Sequence, residues 1–322
     1  MTAAPLSPPA PLSPPAPFTA PAASWDGRRL DLDAYLRRIG YDGDLAPTLA
    51  VLRALSRAHV TSVPFETVDI ALGRTLSLDL ADLQDKLVHR RRGGYCYEHA
   101  LLFAAALERI GFGVTGLCSR VRTGAAGVRP ATHALLRVET AETADTGRAW
   151  ICDPGFGRSP LEPLELADGA TSMDGWGFRL RREATGLGRG VYALRARGPE
   201  GWFDLHAFTT DERHPSDWLV ASHFMSTHRR SPFAVRLVAQ RMAPDRHLFL
   251  DSTVLTTVTP DGTATERRFA PAEVPDLLEE VFGLELSYPD RAQIVSRAAI
   301  ALPGEAPYRD RLPAPPAALP RT

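Results

Sequence analysis

Between Leu30 and Phe112 apolar residues return at three- and four-residue spacing, the pattern of helices with one buried face. LDLDAYLRRIGY, APTLAVLRALSRAHV and DLADLQDKLVHRR each read this way, and Ala100 to Leu107 is a run of small and apolar residues that predicts a helix buried on nearly all sides. From Gly113 onward the pattern changes to short β-type runs, THALLRVET, RAWICDPGF, GVYALRAR and FDLHAFT, separated by glycine, proline and charged turns. Near the end HLFLDSTVLTTVTPDGTATERRF reads as a hairpin closed around Asp261 and Gly262, and APAEVPDLLEEVFG as a capped helix. The chain is thus α+β: helices first, a β-rich middle, then a mixed part.

The periodic stretch is flanked by proline. APLSPP occurs twice, at residues 4–9 and 10–15, the first 24 residues hold eight prolines, and the stretch after residue 302 holds six more. Both ends are expected to be polyproline-like and disordered, which leaves a folded part of roughly 25 to 303. With 44% hydrophobic and 23% charged residues in 322, the chain has an ordinary globular composition. The net charge of −1 gives no electrostatic basis for holding nucleic acid. Lys86 is the single lysine and the other basic residues are arginine, which with the abundant alanine and proline points to a GC-rich genome. Without a charged signal-peptide start or an apolar run of roughly 18 residues, the expected location is cytoplasmic, with no membrane partner. Three cysteines, Cys96, Cys118 and Cys152, are too few for a disulfide scaffold and are read as free thiols.

One thiol stands apart. In RRRGGYCYEHALLFAAALERIGF, Cys96 follows two glycines that permit a tight turn and precedes the buried run, so it falls in the first turn of a buried helix. Unpaired N–H groups and the positive dipole end there favour thiolate over thiol. Cys118 and Cys152 lack that setting and are read as small buried hydrophobes.

A nucleophile needs a base, and nine histidines compete. THALLRVET and RAWICDPGF flank the polar connection TAETADTGR, so they should pair as an antiparallel hairpin. A loop centred near residue 143 sets His133 opposite Asp153 on one face, at the hairpin's open end. Asp153 can then fix the tautomer of the imidazole and raise its basicity toward Cys96. An incidental cross-strand ion pair and a zinc site from Cys96, His99, His133 and Cys152 are the competing readings. The zinc reading is the weaker, because Cys96 and His99 have no second pair at metal spacing, and no metal is expected.

These residues resemble a known family. RRGGYCYEHALLF is similar to the RGGxCxExN signature around the cysteine of the arylamine N-acetyltransferases. DLDAYLRRIGYDG with HVTSVPFETVDIALGR resembles that family's N-terminal helical region, PATHALLRV its histidine strand, ICDPGFG its Asp-x-Gly-Phe-Gly segment, SHFMSTHRRSPF its Ser-Thr segment and FGLEL its C-terminal end. The blocks keep the family's order over about residues 29 to 287. The resemblance implies a cysteine-protease-like helical domain (25–112), a β-barrel (113–225) and an α/β lid (226–303), with Cys96, His133 and Asp153 as a catalytic triad. It also implies acetyl-CoA as cosubstrate and a small aromatic amine or hydrazine as acceptor, with Thr132, Gly155, Phe156, Gly157, Thr227 and Arg229 lining their pocket. For Gly155 and Gly157 the physical case is close backbone approach to a ligand. Arg92 and Glu98 match signature charges and are read as buried supports.

The chain departs from the family at Ala100 and Ser222, where asparagine is usual, and at Arg229, in place of a proline. The reaction implied is ping-pong acetyl transfer through acetyl-Cys96. Two other readings stand beside it: an amide synthase of the same fold, which releases a polyketide from a carrier protein by macrolactam formation with an aryl amine, and a catalytically retired binding module.

Overall fold

The computed structural model describes residues 25–125, 127–144, 146–184 and 190–300. The proline-rich segments 1–24 and 304–322, expected to be disordered, lie outside the described residues. The helical pattern resolves into α1 (Leu32–Ile39), α2 (Leu49–Ser62), α3 (Val68–Ala71), α4 (Leu80–Gln84) and α5 (Cys96–Ile110), with a two-residue strand β1 (Phe65–Glu66) before α3. Asp31 and Thr48 start α1 and α2 by accepting the Ala34 and Val51 N–H groups. α4 runs on into a π-helical turn, Asp85–His89, which carries Lys86 inward.

Eight strands follow from Gly113: β2 (Gly113–Val121), β3 (His133–Glu139), β4 (Trp150–Cys152), β5 (Leu164–Glu165), β6 (Gly169–Met173), β7 (Trp176–Glu183), β8 (Val191–Gly198) and β9 (Gly201–Phe208). They form an antiparallel, barrel-like sheet in the order β5-β4-β3-β2-β9-β8-β7-β6. The last part comprises α6 (Pro215–Thr227), α7 (Pro232–Val235), β10 (Val238–Met242), β11 (His247–Asp251), β12 (Val254–Val258), β13 (Ala264–Arg268), α8 (Val274–Glu280) and α9 (Tyr288–Ala298). Its four strands are joined at the edge by β1, in the order β1-β10-β11-β12-β13, so the helical part contributes a strand to this sheet. No helix among the described residues is long and apolar enough to cross a membrane.

Several elements differ from the sequence pattern. The segment read as one hairpin holds two, because Ser252 turns the chain with φ 55 between β11 and β12 before the Asp261–Gly262 turn joins β12 to β13. α6 was not marked by periodicity, and the expected domain boundary after residue 225 falls inside it. α9 also escaped the pattern: it buries only Asp290, Ile294 and Ala298.

Three apolar clusters organise the molecule. One surrounds α5 and takes in Ala134, Leu136 and Val138 from β3. A second, with Leu135, Trp176, Phe178 and Leu180, fills the barrel-like sheet. A third joins β10 and β11 to α8 and α9. Strand β3 therefore faces α5 with its even-numbered residues and the barrel interior with Leu135.

Candidate active site

Every residue from 96 to 107 in α5 is buried, as the apolar run predicts. The helix start is held by charge. The Glu98 carboxylate accepts the Tyr95 N–H at 3.0 Å and a Lys86 Nζ hydrogen at 2.8 Å, and Lys86 also reaches Asp69 at 2.9 Å. Arg92 donates to Glu66 at 2.7 Å and approaches Asp69 at 3.6 Å. Arg92 and Glu98 are thus buried supports with different partners. Burial works against the Asp69 charge, yet Lys86 and Arg92 hold its carboxyl well below the usual carboxylate range. At Glu98 burial prevails over Lys86 and moves the carboxyl up.

Cys96 is buried, its Sγ 3.9 Å from the Thr132 carbonyl, which also accepts the Tyr97 hydroxyl at 2.8 Å. His133, the first residue of β3, has its Nε2 2.7 Å from Asp153 Oδ1, and the Cys96 side chain is its other hydrogen-bonding neighbour. Burial disfavours a charged His133, but the Asp153 carboxylate, joined by Cys96, raises its pKa to about 10. Burial likewise opposes the Asp153 charge, and the two imidazoles around it hold the carboxyl well below its usual range.

The hairpin register differs from the expected one. Leu136 pairs with Cys152 and Val138 with Trp150, so the position across from His133 would be 155 and Asp153 lies on the diagonal. An offset of two keeps both side chains on one face, whereas an offset of one would have separated them. Asp153 also lies just past the end of β4, where the ladder has already stopped.

The sequence did not single out His206. Its Nε2 lies 2.8 Å from Asp153 Oδ2, so each carboxylate oxygen holds one imidazole. The sheet brings the two histidines together: β2 lies between β3 and β9, with Ser119 opposite His133 on one side and Val121 opposite His206 on the other. Phe156 closes over both rings, its centroid 5.0 Å from His133 and 5.1 Å from His206. The cue in the sequence was a histidine among apolar residues in FDLHAFT, but its partner lies 53 residues away.

The other expected site residues are dispersed. Thr132 and Phe156 border the thiol and the imidazole as described. Gly155 makes its close approach to protein and not to open space: a Cβ there would lie 2.7 Å from the Cys96 Cα and 3.0 Å from the His99 Cβ. Gly157 takes φ +93 and packs against Gln240. Thr227, at the exposed end of α6, donates its hydroxyl to the His223 carbonyl at 2.6 Å, and Arg229 is exposed in the following turn. Among the described residues no hydrogen bond or ion pair joins these two to Cys96, His133 or Asp153. The zinc ligand set does not assemble either. His99 spans His59 and the Pro64 carbonyl at 2.9 and 3.2 Å, and Cys152 lies against Ser56 at 3.8 Å. Burial pushes the Cys152 thiol up to about 12 and the Cys118 thiol up to about 11, so neither competes as a nucleophile.

A family model described as N-acetyltransferase matches residues 48–291. The arylamine N-acetyltransferase of Mycobacterium tuberculosis is 36% identical over 264 residues, 80% of this chain and 90% of that protein. The chain belongs to the arylamine N-acetyltransferase family. Among solved structures, the arylamine N-acetyltransferase of Nocardia farcinica superposes with a TM-score of 0.82 at 52% identity, covering 86% of this chain and 97% of that one. The Mycobacterium marinum enzyme, solved in complex with CoA, gives 0.75 at 33% identity, with 83% and 98% covered. This member of the family is therefore an acetyltransferase, and its α+β fold is the family's. Two of its departures from the family pattern are absorbed by packing, Ala100 wholly buried in the core around α5 and the buried Ser222 hydroxyl bonded to Tyr95 Oη, while the third, Arg229, is exposed.

Proposed function

We propose that the protein moves an acetyl group from acetyl-CoA to the nitrogen of an arylamine or arylhydrazine in two half-reactions through acetyl-Cys96. The observation that carries this reading is the buried row Cys96, His133, Asp153, in which His133 has one nitrogen on the carboxylate and the other side toward the thiol. In the first half-reaction the Cys96 proton passes to His133 and the sulfur attacks the thioester carbonyl. Unpaired N–H groups in the first turn of α5 steady the oxyanion. The bond to the CoA sulfur breaks, and His133 returns the proton to that leaving thiolate. In the second, the amine attacks the acetyl carbon, His133 accepts the amine proton, and the bond to Cys96 breaks. An arylamine suits this step because it is uncharged near neutral pH, with its lone pair free. Thr132, Phe156, Gly157, Thr227 and Arg229 are assigned to the walls of the CoA and acceptor pocket, with Arg229 suited to a phosphate.

Intact-protein mass spectrometry after brief exposure to acetyl-CoA without acceptor tests this reading. An acetyl adduct is expected on Cys96, absent in Cys96→Ser and strongly slowed in His133→Ala. No adduct at any pH from about 6 to 9, a range bracketing ordinary histidine and cysteine titration, would discard it. Faster labelling by a carrier-bound long acyl chain than by acetyl-CoA would instead favour amide synthesis.

A further inference from the structure

One face of β10 is turned toward the other two parts of the molecule. Val238 packs in the core around α5, to which Cys96 belongs, and Met242 packs in the barrel core, whereas Ala239 on the opposite face joins the core with α8 and α9. Gln240 shares the parity of Val238 and Met242, so it stands where that face passes from one core to the other. Its cross-strand partners are Phe65 on β1 and Phe249 on β11, both packed in or against the core around α5, and Phe65 bridges Gly94, just ahead of Cys96. On its other side the carboxamide lies against Gly157, where a Cβ would come 2.5–2.6 Å from its atoms, and the preceding Phe156 stands 5.0 Å from the His133 ring. A half-buried amide is thus set among aromatic rings, between the turn that carries Cys96 and the loop that covers His133.

His247 decides which way that amide points. Its ring is buried, with Nε2 3.0 Å from Gln240 Oε1 and Nδ1 without a hydrogen-bond partner among the described residues. A hydrogen on Nδ1 would be buried with no acceptor, so the hydrogen sits on Nε2 and is donated to Oε1. Burial first, then Arg158, lowers the His247 pKa to about 3, so the ring stays neutral and keeps this single donor. A flipped carboxamide would set its own N–H groups against the N–H of His247. The oxygen is therefore committed to His247 and the amide N–H groups are turned away from it. Among the described residues the bond to His247 is the only one the carboxamide makes.

We propose that Gln240 is a specificity-determining residue for the acetyl acceptor, an N–H donor held ready for a carbonyl, carboxylate or sulfonyl oxygen on the aromatic ring of the amine. This rests on the reading of acetyl transfer to an arylamine through acetyl-Cys96. Phe65, Phe156 and Phe249 offer walls that suit an aryl ring. A donor fixed at their edge favours a ring whose far side carries an acceptor, because a ring without one displaces water from the N–H groups and leaves them unpaired. His247 is the positioning residue: it acts through the carboxamide, holding it in the donating orientation.

The second half-reaction reads this selectivity. Wild type, Gln240→Met, Gln240→Leu and His247→Phe are acetylated on Cys96, freed of CoA and mixed with meta- or para-aminoacetophenone, or with the isopropylanilines of the same shape. Intact-protein mass spectrometry then follows decay of the adduct. The ketone withdraws electrons from the amine, so the quantity read is the ratio of the two rate constants, ketone over isopropyl, in each variant against the wild type. That ratio is expected to fall about threefold to tenfold in both Gln240 variants, the worth of one neutral hydrogen bond, and by a smaller factor in His247→Phe, where the carboxamide is free to flip. An unchanged ratio in either folded Gln240 variant overturns the inference, and slower acetylation by acetyl-CoA with an unchanged ratio would put the donor on CoA instead. A wild-type ratio in folded His247→Phe overturns the positioning role of His247. Failure of the acetyl-transfer reading would look different: no acetyl adduct in any of these proteins, wild type included, and the inference falls with it.

Discussion

A histidine set between a buried carboxylate and a thiol ties the protein's stability to pH in both directions. His133, raised to about 10, adds stability that is whole below its unfolded value of about 6.5 and vanishes as pH rises through about 10. Asp153, held low, adds stability that is whole above about 3.9 and is lost as pH falls below it. The pair is at full strength between about pH 4 and 6.5. Asp153→Asn should therefore be least stable relative to the wild type near pH 5 to 6 and close much of that gap by about pH 10, as read by urea unfolding across the range. The same variant should slow acetylation of Cys96 by about 10³- to 10⁴-fold, because a carboxamide can present the wrong hydrogen-bonding partner to the imidazole. Cys96, His133 and Asp153 were legible in the sequence because their cues are local: glycines before an apolar run, and two strands around one short loop. His206 was not, since its place depends on β9 reaching β2 from the far side of the sheet.

At the scale of elements, a buried helix start needs support, and Lys86 supplies it. It reaches its position from the π-helical turn after α4 and joins Glu98 of α5 to Asp69 of α3. Lys86→Met leaves the Glu98 carboxylate buried and unpaired, and is expected to cost about 3–5 kcal/mol in denaturant unfolding. Removing the charge on both sides, in Lys86→Met with Glu98→Gln, should cost less than the sum of the single changes, a coupling that a double-mutant cycle measures directly. Equal, additive losses would mean that the two charges act independently. The sequence marked Arg92 and Glu98 as supports, but not that they answer to Glu66 and Lys86, because those pairings follow from the way α3, α4 and α5 pack. The hairpin register slipped for a related reason: counting from a loop centre gives the face of each residue reliably, while the turn geometry adds or removes a pair.

In the whole molecule, the thiol and its base belong to different layers. Cys96 is part of the core around α5, whereas His133 shares the parity of Leu135, whose side chain lies in the barrel core, and the two meet at the start of β3. The placement of Cys96 against His133 then depends on how α5 beds against the even-numbered face of β3, more than on the barrel's own packing. Leu136 is fully buried in the shared core, and Leu180 is buried deep in the barrel. Leu136→Ala and Leu180→Ala should each cost about 2–5 kcal/mol in unfolding, since both empty a packed site. Their effects on chemistry should diverge. At a temperature where both remain folded, Leu136→Ala is expected to slow acetylation of Cys96 by about tenfold to a hundredfold, as a displacement near 1 Å between nucleophile and base would. Leu180→Ala should acetylate at close to the wild-type rate. Equal slowing in both variants would mean that the sheet transmits strain across its full width and that the α5–β3 contact has no special part in aligning the site.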